Sequence, residues 1–276
     1  MGRKIALSRV VRLASALLSL CICGFCQPPP PRALVRQSIQ NGERAWKDST
    51  NYQCLKTEVD EQFDSAGNRK STDRDLYRIL PLGSGVSFEQ HVEHNGEPIS
   101  RDLRDRNIKQ LEKLRSESPA ELHRRFEKEL AERSYMREVP DAFDFRIVRE
   151  DSLPTGRAWV LEATPRPSYQ PKSRYARMFS KMRGTLWIDE RDVQWVKADA
   201  VASETVSFGL FIARVSKGSH IVLEQMKLPD GEWVPKSLSA RANARTFLLF
   251  DHNFSENITY SQYRKSGDLA AAARPR

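Results

Sequence analysis

The residues that could do chemistry are scattered along this chain. His91 and His94 stand three apart in "EQHVEH". They could share a metal ion only if both rings reached one side, and on a regular strand residues three apart point to opposite faces. Asp189, Glu190 and Asp192 crowd into "WIDERDVQW". A glycosidase pair needs two carboxylates facing each other across a cleft, and nothing sets two of these apart from a solvated turn. His123, His220 and His252 are isolated. Cys54 lies in an alternating run and reads as a small core residue. No nucleophile elbow, zinc-protease helix or phosphate-binding glycine loop occurs. The chain reads as non-enzymatic, with no catalytic residue, metal or cofactor expected.

The N-terminus points to a compartment. Arg3, Lys4, Arg9 and Arg12 precede a short apolar stretch, Leu13 to Phe25. That is the pattern of a secretory signal peptide, 1–26, too short for a comfortable membrane span. Cleavage is expected after Cys26, with Gly24 as the other candidate. Phe25 stands where lipidation of Cys26 would want a small residue. Removing 1–26 takes away four basic and no acidic residues, so 41 basic face 36 acidic and the net charge falls from +9 to +5. Interspersed charges of that size are not a nucleic-acid footprint. Only Cys54 then remains, which excludes an internal disulfide.

The rest is organised by period. Residues 27–33 are a Pro-rich spacer, and 33–47 form a weak amphipathic helix. From "NYQCLKTEVDEQFD" onward the pattern turns to period two, broken by "SAGNRK" and Asn95-Gly96. Residues 99–138 are a charged helical insert. Leu103, Ile108, Leu111 and Leu114 make one stripe, Leu122, Phe126 and Leu130 another, and Ser118-Pro119 opens the second helix. Strand patterns then recur about every ten residues as far as 264, and 265–276 is a loose tail. The expected fold class is α+β, mainly β: a large curved antiparallel sheet in one domain over 34–264, with helices covering the concave side.

"GTLWIDERDVQWVKADA" (184–200) carries the strongest apolar signal. With Glu190-Arg191 as a two-residue turn, Ile188 lies opposite Val193 and Leu186 opposite Trp195. The next strand adds Leu210 and Ile212. These six residues are the candidate lining of the concave face. The helices available to cover it are thin, and composition leaves a cavity and a filled core equally open.

The order of "NYQC", "NG", a charged insert, "AFDF", "GTLWID" and "GEWVP" resembles the outer-membrane lipoprotein-sorting protein family. The likeness spans about 34–264, and its pieces are hairpin and turn residues, none catalytic. It implies an open half-barrel of about eleven strands, closed on one side by helices; the signal peptide makes the expected location periplasmic, and the sequence leaves the oligomeric state open, with a monomer favoured. The likeness also implies a carrier or binding module whose partners are lipid or an acylated lipoprotein, with envelope transport proteins as further candidates. Leu186, Ile188, Val193, Trp195, Leu210 and Ile212 would then be lipid-binding. The insert of 99–138 departs from a compact carrier lid. It supports the alternative of a cell-envelope sensor or protein-interaction module that uses those helices as its contact surface.

Overall fold

The computed structural model describes residues 29–64, 66–208, 213–246 and 250–266. The signal peptide, most of the tail, and Leu210 and Ile212 lie outside the described residues.

Helix α1, Pro31–Ser49, starts two residues earlier than the apolar pattern suggests. Proline suits a first turn, where no amide hydrogen is needed. The helix buries Leu34, Val35, Ser38, Ile39, Gly42 and Ala45, one stripe at helical spacing. Strands β1 (Tyr52–Phe63), β2 (Arg69–Gly83), β3 (Val86–His94) and the two-residue β4 (Glu97–Pro98) follow as a meander. The insert is two helices, α2 (Arg101–Arg115) and α3 (Pro119–Arg133), then a 3-10 turn over Ser134–Glu138 and the short α4 (Val139–Ala142). Ser118 caps α3 as its sequence suggests. Its hydroxyl accepts from Glu121 N–H, while the Glu121 carboxylate accepts from Ser118 N–H, a reciprocal capping box.

The remaining strands are β5 (Phe143–Leu153), β6 (Gly156–Pro165), β7 (Met182–Asp189), β8 (Trp195–Ala202), β9 (Val206–Phe208), β10 (Ala213–Val215), β11 (His220–Lys227), β12 (Trp233–Thr246) and β13 (Phe250–Lys265). A second 3-10 turn, Ala176–Lys181, precedes β7. Eleven strands form one path in the order β4-β3-β2-β1-β13-β12-β11-β8-β7-β6-β5, and β9 and β10 extend it beside β12. The neighbouring strands are antiparallel. β4 and β5 are separate edges, so the sheet stays open as expected.

The core lies between α1 and the β5–β8 part of the sheet. Leu34, Val35 and Ile39 pack with Leu161, Leu186 and Ile188, and Phe145, Ile147, Trp159, Val193, Trp195 and Ala198 close around them. A second cluster, Ala142, Phe143, Ala176 and Phe179, lies beside it. The insert attaches through aromatic contact. Phe126 of α3 stacks on Trp46 of α1 with ring centroids 5.5 Å apart. A methyl group on Gly85 would collide with the same Phe126 ring. The stripe on α2 departs from expectation. Leu111 is buried but Ile108 is exposed, and the buried polar residue Asn107 donates its amide to the His91 carbonyl at 3.0 Å.

Gly42 sets how closely α1 approaches the sheet, because a Cβ there would fall on the Trp195 indole. Gly42→Ala should therefore destabilise the protein by about 1–3 kcal/mol through overpacking. Helix propensity alone would favour alanine by up to about 1 kcal/mol. Urea denaturation decides between the two, and a variant as stable as the parent would show that the contact relaxes freely.

Candidate functional site

The site is the face of the sheet on which α1 lies. Residues paired directly across antiparallel strands share a face, so the register traces two rows over the sheet. One runs Leu161–Leu186–Ala198–Leu223–Leu238–Ile258–Glu58–Asp75. The next runs Ala163–Gly184–Ala200–Ile221–Ala240–Glu256–Asp60–Asp73. Both rows are apolar from β6 to β12; the first turns acidic at β1 after Ile258, the second already at β13 with Glu256.

Four of the six expected lining residues come together here. Leu186 and Ile188 are buried beneath α1, and Val193 and Trp195 pack against the same cluster. The apolar surface left partly open belongs instead to Ile221, Leu223, Leu238 and Ala240 of β11 and β12. Alternation in "HIVLEQM" and "KSLSARA" marked these strands, but only the pairing register shows which of their residues face α1.

The hairpin register differs from the expected one. Ile188 pairs with Trp195 and Leu186 with Ala198, so the connection is 190–194 rather than a two-residue turn. The cause is Asp189. It is 2 % exposed, and its carboxylate accepts from the N–H groups of Arg191 (3.0 Å) and Asp192 (2.9 Å) and from the Thr155 hydroxyl (3.2 Å). Those bonds wrap the loop and replace the solvated turn that its charges suggest. Asp192 is also engaged, accepting from Lys227 and from Trp233 Nε1. Its pKa is lowered: partial burial acts to raise it, and those two hydrogen bonds more than offset that. Val193 takes a φ of +49°, an unfavourable region for a β-branched residue. Asn41 of α1 secures the loop by donating its amide to the carbonyls of Asp192 (2.8 Å) and Val193 (2.9 Å).

The acidic end is crowded. Glu58, Asp60 and Glu256 bring carboxylate oxygens within 4.8 Å of one another, and among the described residues this is the group whose spacing could hold a metal ion. Lys56 is the internal counter-charge, 3.0 Å from Glu58 and 3.2 Å from Glu89. Burial pulls the Lys56 pKa down, but those two carboxylates outweigh it and hold it above the usual lysine range. Burial raises the Asp60 carboxyl, and Glu58, Asp75 and Asp73 raise it further. Glu256 is raised by burial and then by Glu58 and Asp60.

Asp75 is taken by both histidines, His91 Nε2 at 2.7 Å and His94 Nδ1 at 2.9 Å from Oδ1. Their expected placement on opposite faces does not hold. The β2–β3 register shifts between Leu76 and Tyr77, leaving Val92 as an extra residue. A bulge of that kind reverses the alternation. Cys54 is buried, as its alternating run suggests, and desolvation pushes its thiol up to about 11, which makes it unreactive. A separate groove of about 520 Å³ lies along α1, lined by Arg36, Ile39, Arg44 and Arg137 among others. Two of its cations are engaged, Arg137 with Glu43 and Arg36 with Asp141.

Fold and site together define an open antiparallel sheet with a helix laid along its concave face. No family model and no curated protein matches the chain. Among solved structures it resembles an outer membrane lipoprotein-sorting protein domain from Vibrio parahaemolyticus, 9 % identical, TM-score 0.29, covering 83 % of this chain and 92 % of that one. It also resembles a LolA superfamily protein from Nitrosomonas europaea, 10 % identical, TM-score 0.29, covering 82 % and 93 %. The MucA/MucB complex of Pseudomonas aeruginosa matches at 12 % identity and TM-score 0.25, covering 87 % and 99 %. The first is named for the family that the sequence motifs resemble. At these TM-scores the likenesses carry no argument about function.

Asn41→Ala should cost about 1–3 kcal/mol, because two loop carbonyls lose their donor. Thermal denaturation of the variant checks this, and an unchanged midpoint would mean that water takes over both bonds. The acidic cluster gives a pH prediction. Asp60 and Glu256 bind their protons more tightly in the folded chain than in the unfolded one. They therefore weaken the fold above their folded pKa values, and that cost vanishes below the unfolded values near about pH 4. The Asp60→Asn, Glu256→Gln double variant should gain on the order of 1 kcal/mol at pH 7 by relieving opposed like charges. The gain should disappear as the pH falls through that window, measured by denaturation at several pH values.

Proposed function

We propose that this protein is a non-enzymatic carrier or binding module of the bacterial periplasm, exported by its N-terminal signal peptide, for lipid or an acylated protein. Acyl chains lie against the aliphatic part of the concave face. The observation that carries this reading is the continuation of the Leu186 row as Leu223 and Leu238, which α1 leaves only half-buried. A sheet face of aliphatic side chains has a strong drive to be covered. Each methylene buried there contributes about 0.8 kcal/mol, so a dozen give on the order of 10 kcal/mol before association costs. That suffices for reversible holding without polar specificity. Leu186, Ile188, Val193 and Trp195 serve as the floor on which α1 rests, and α1 forms one wall of the binding face.

The test is native mass spectrometry of the protein isolated from its own cell envelope, together with titration by a fluorescent fatty-acyl probe. Bound lipid and saturable probe binding are expected. Leu223→Glu and Leu238→Glu should each weaken probe binding at least tenfold, because a carboxylate would enter the apolar row. Lipid-free protein that also ignores the probe would overturn the reading.

A further inference from the structure

The two rows of the concave face do more than change polarity. They do so within single pairing steps. Ile258 on β13 is flanked by Leu238 on one side and Glu58 on the other. Glu256 on β13 is flanked by Ala240 and Asp60 in the same way. An object lying across the strands therefore meets only aliphatic side chains over β8, β11 and β12, then Ile258 or Glu256 on β13, then carboxylates on β1 and β2.

The charges at that end do not cancel internally. Lys56 is held by Glu58 and Glu89, and His91 and His94 are both held by Asp75. Among the described residues Asp60 and Glu256 form no ion pair, and Lys56, paired with Glu58 and Glu89, offsets their charge only through longer-range attraction that burial and the neighbouring carboxylates outweigh. Both are half-buried, and they face each other directly across β1 and β13. Opposed like charges are unfavourable, so this arrangement weakens the fold and is relieved by a positive charge placed between them. Asp73 lies next in that row and adds to the negative field.

We propose that the ligand of this face is a cationic amphiphile: an aliphatic chain ended by an ammonium group, with its chain across the half-buried Leu238 and Leu223, past the buried Ile258, and its ammonium among Glu256, Asp60 and Glu58. This inference rests on the carrier reading above and names its ligand class. From β13 to β8 is three strand spacings, about 14 Å, room for a long alkyl chain laid across the strands. The raised proton affinity of Asp60 and Glu256 has the same origin as the selectivity, a half-buried negative site short of positive charge. An anionic amphiphile of the same length would place its carboxylate against this field and bind worse.

Calorimetric titration of the full chain at pH 7, below micellar concentrations, with dodecylammonium, dodecanol and dodecanoate tests the idea. Dodecylammonium should bind at least tenfold more tightly than dodecanoate, with dodecanol between them. The preference should shrink as salt is raised, because the site is open to solvent. In the Asp60→Asn, Glu256→Gln variant it should fall below threefold, with the melting temperature at or above the parent's as proof of folding. Equal or tighter binding of dodecanoate would overturn the inference, as would full preference retained by the variant. Loss of dodecanol binding by the variant would also overturn it, since the carboxylates would then be supporting the fold alone. A Lys/Leu amphipathic peptide that binds while dodecylammonium does not would replace the small amphiphile with a protein partner. If none of the three small ligands binds the parent, the carrier reading fails as well. If dodecanol binds and charge makes no difference, only the cationic assignment fails.

Discussion

The structure depends on one contact, the burial of Leu34, Val35 and Ile39 against Leu161, Leu186 and Ile188. An open sheet of eleven strands has a concave side that nothing covers by itself. A single amphipathic helix of 19 residues supplies the cover. Its small residues, Ser38, Gly42 and Ala45, let it lie close. Its Asn41 grips the 190–194 loop, and its Trp46 meets Phe126 of the insert. Sheet, loop and insert are thus all held by the same helix, whose stripe is too narrow for the whole face. α1 also approaches β12, and the residues of β11 and β12 that it leaves half-buried are the basis of the functional reading.

Two kinds of polar group occur near that face, and the difference is informative. At the β7–β8 loop, the buried Asp189 and the half-buried Asp192 have hydrogen-bond partners at short range. Buried polar groups satisfied in that way give a loop one geometry, here at the cost of a strained Val193. At the other end, Asp60 and Glu256 face each other, and Lys56, paired with Glu58 and Glu89, offsets their charge only in part. The first arrangement is structural. The second lowers stability without fixing any backbone position, as the ligand contact proposed above would require.

The architecture was largely legible in the sequence because it rests on period. The antiparallel meander and the two insert helices follow from alternation, turn residues and Ser118-Pro119, and the open half-barrel from the family resemblance. The charged end of the site was hidden for the same reason. In "KTEVDEQF", period two pairs Val59 with Leu55 and Phe63, and that set would be taken as the buried side. The register instead places Glu58 and Asp60 on the face that carries α1. Side-chain bonding and inserted residues were equally invisible. Asp189 lengthens a loop that looked like a two-residue turn, and Val92 brings His91 and His94 to one aspartate.

The last consequence concerns how the sheet ends. β4 is only Glu97 and Pro98, and it closes one margin of an otherwise long antiparallel array. A proline offers no amide hydrogen to an incoming strand, and so short a border gives a second chain almost nothing to align on. The opposite margin, β5, carries Asp144, Arg146, Arg149, Glu150 and Asp151, a density of charge that discourages zippering with a neighbour. A molecule built around an unclosed sheet thereby gives neighbouring chains little purchase for edge-to-edge growth.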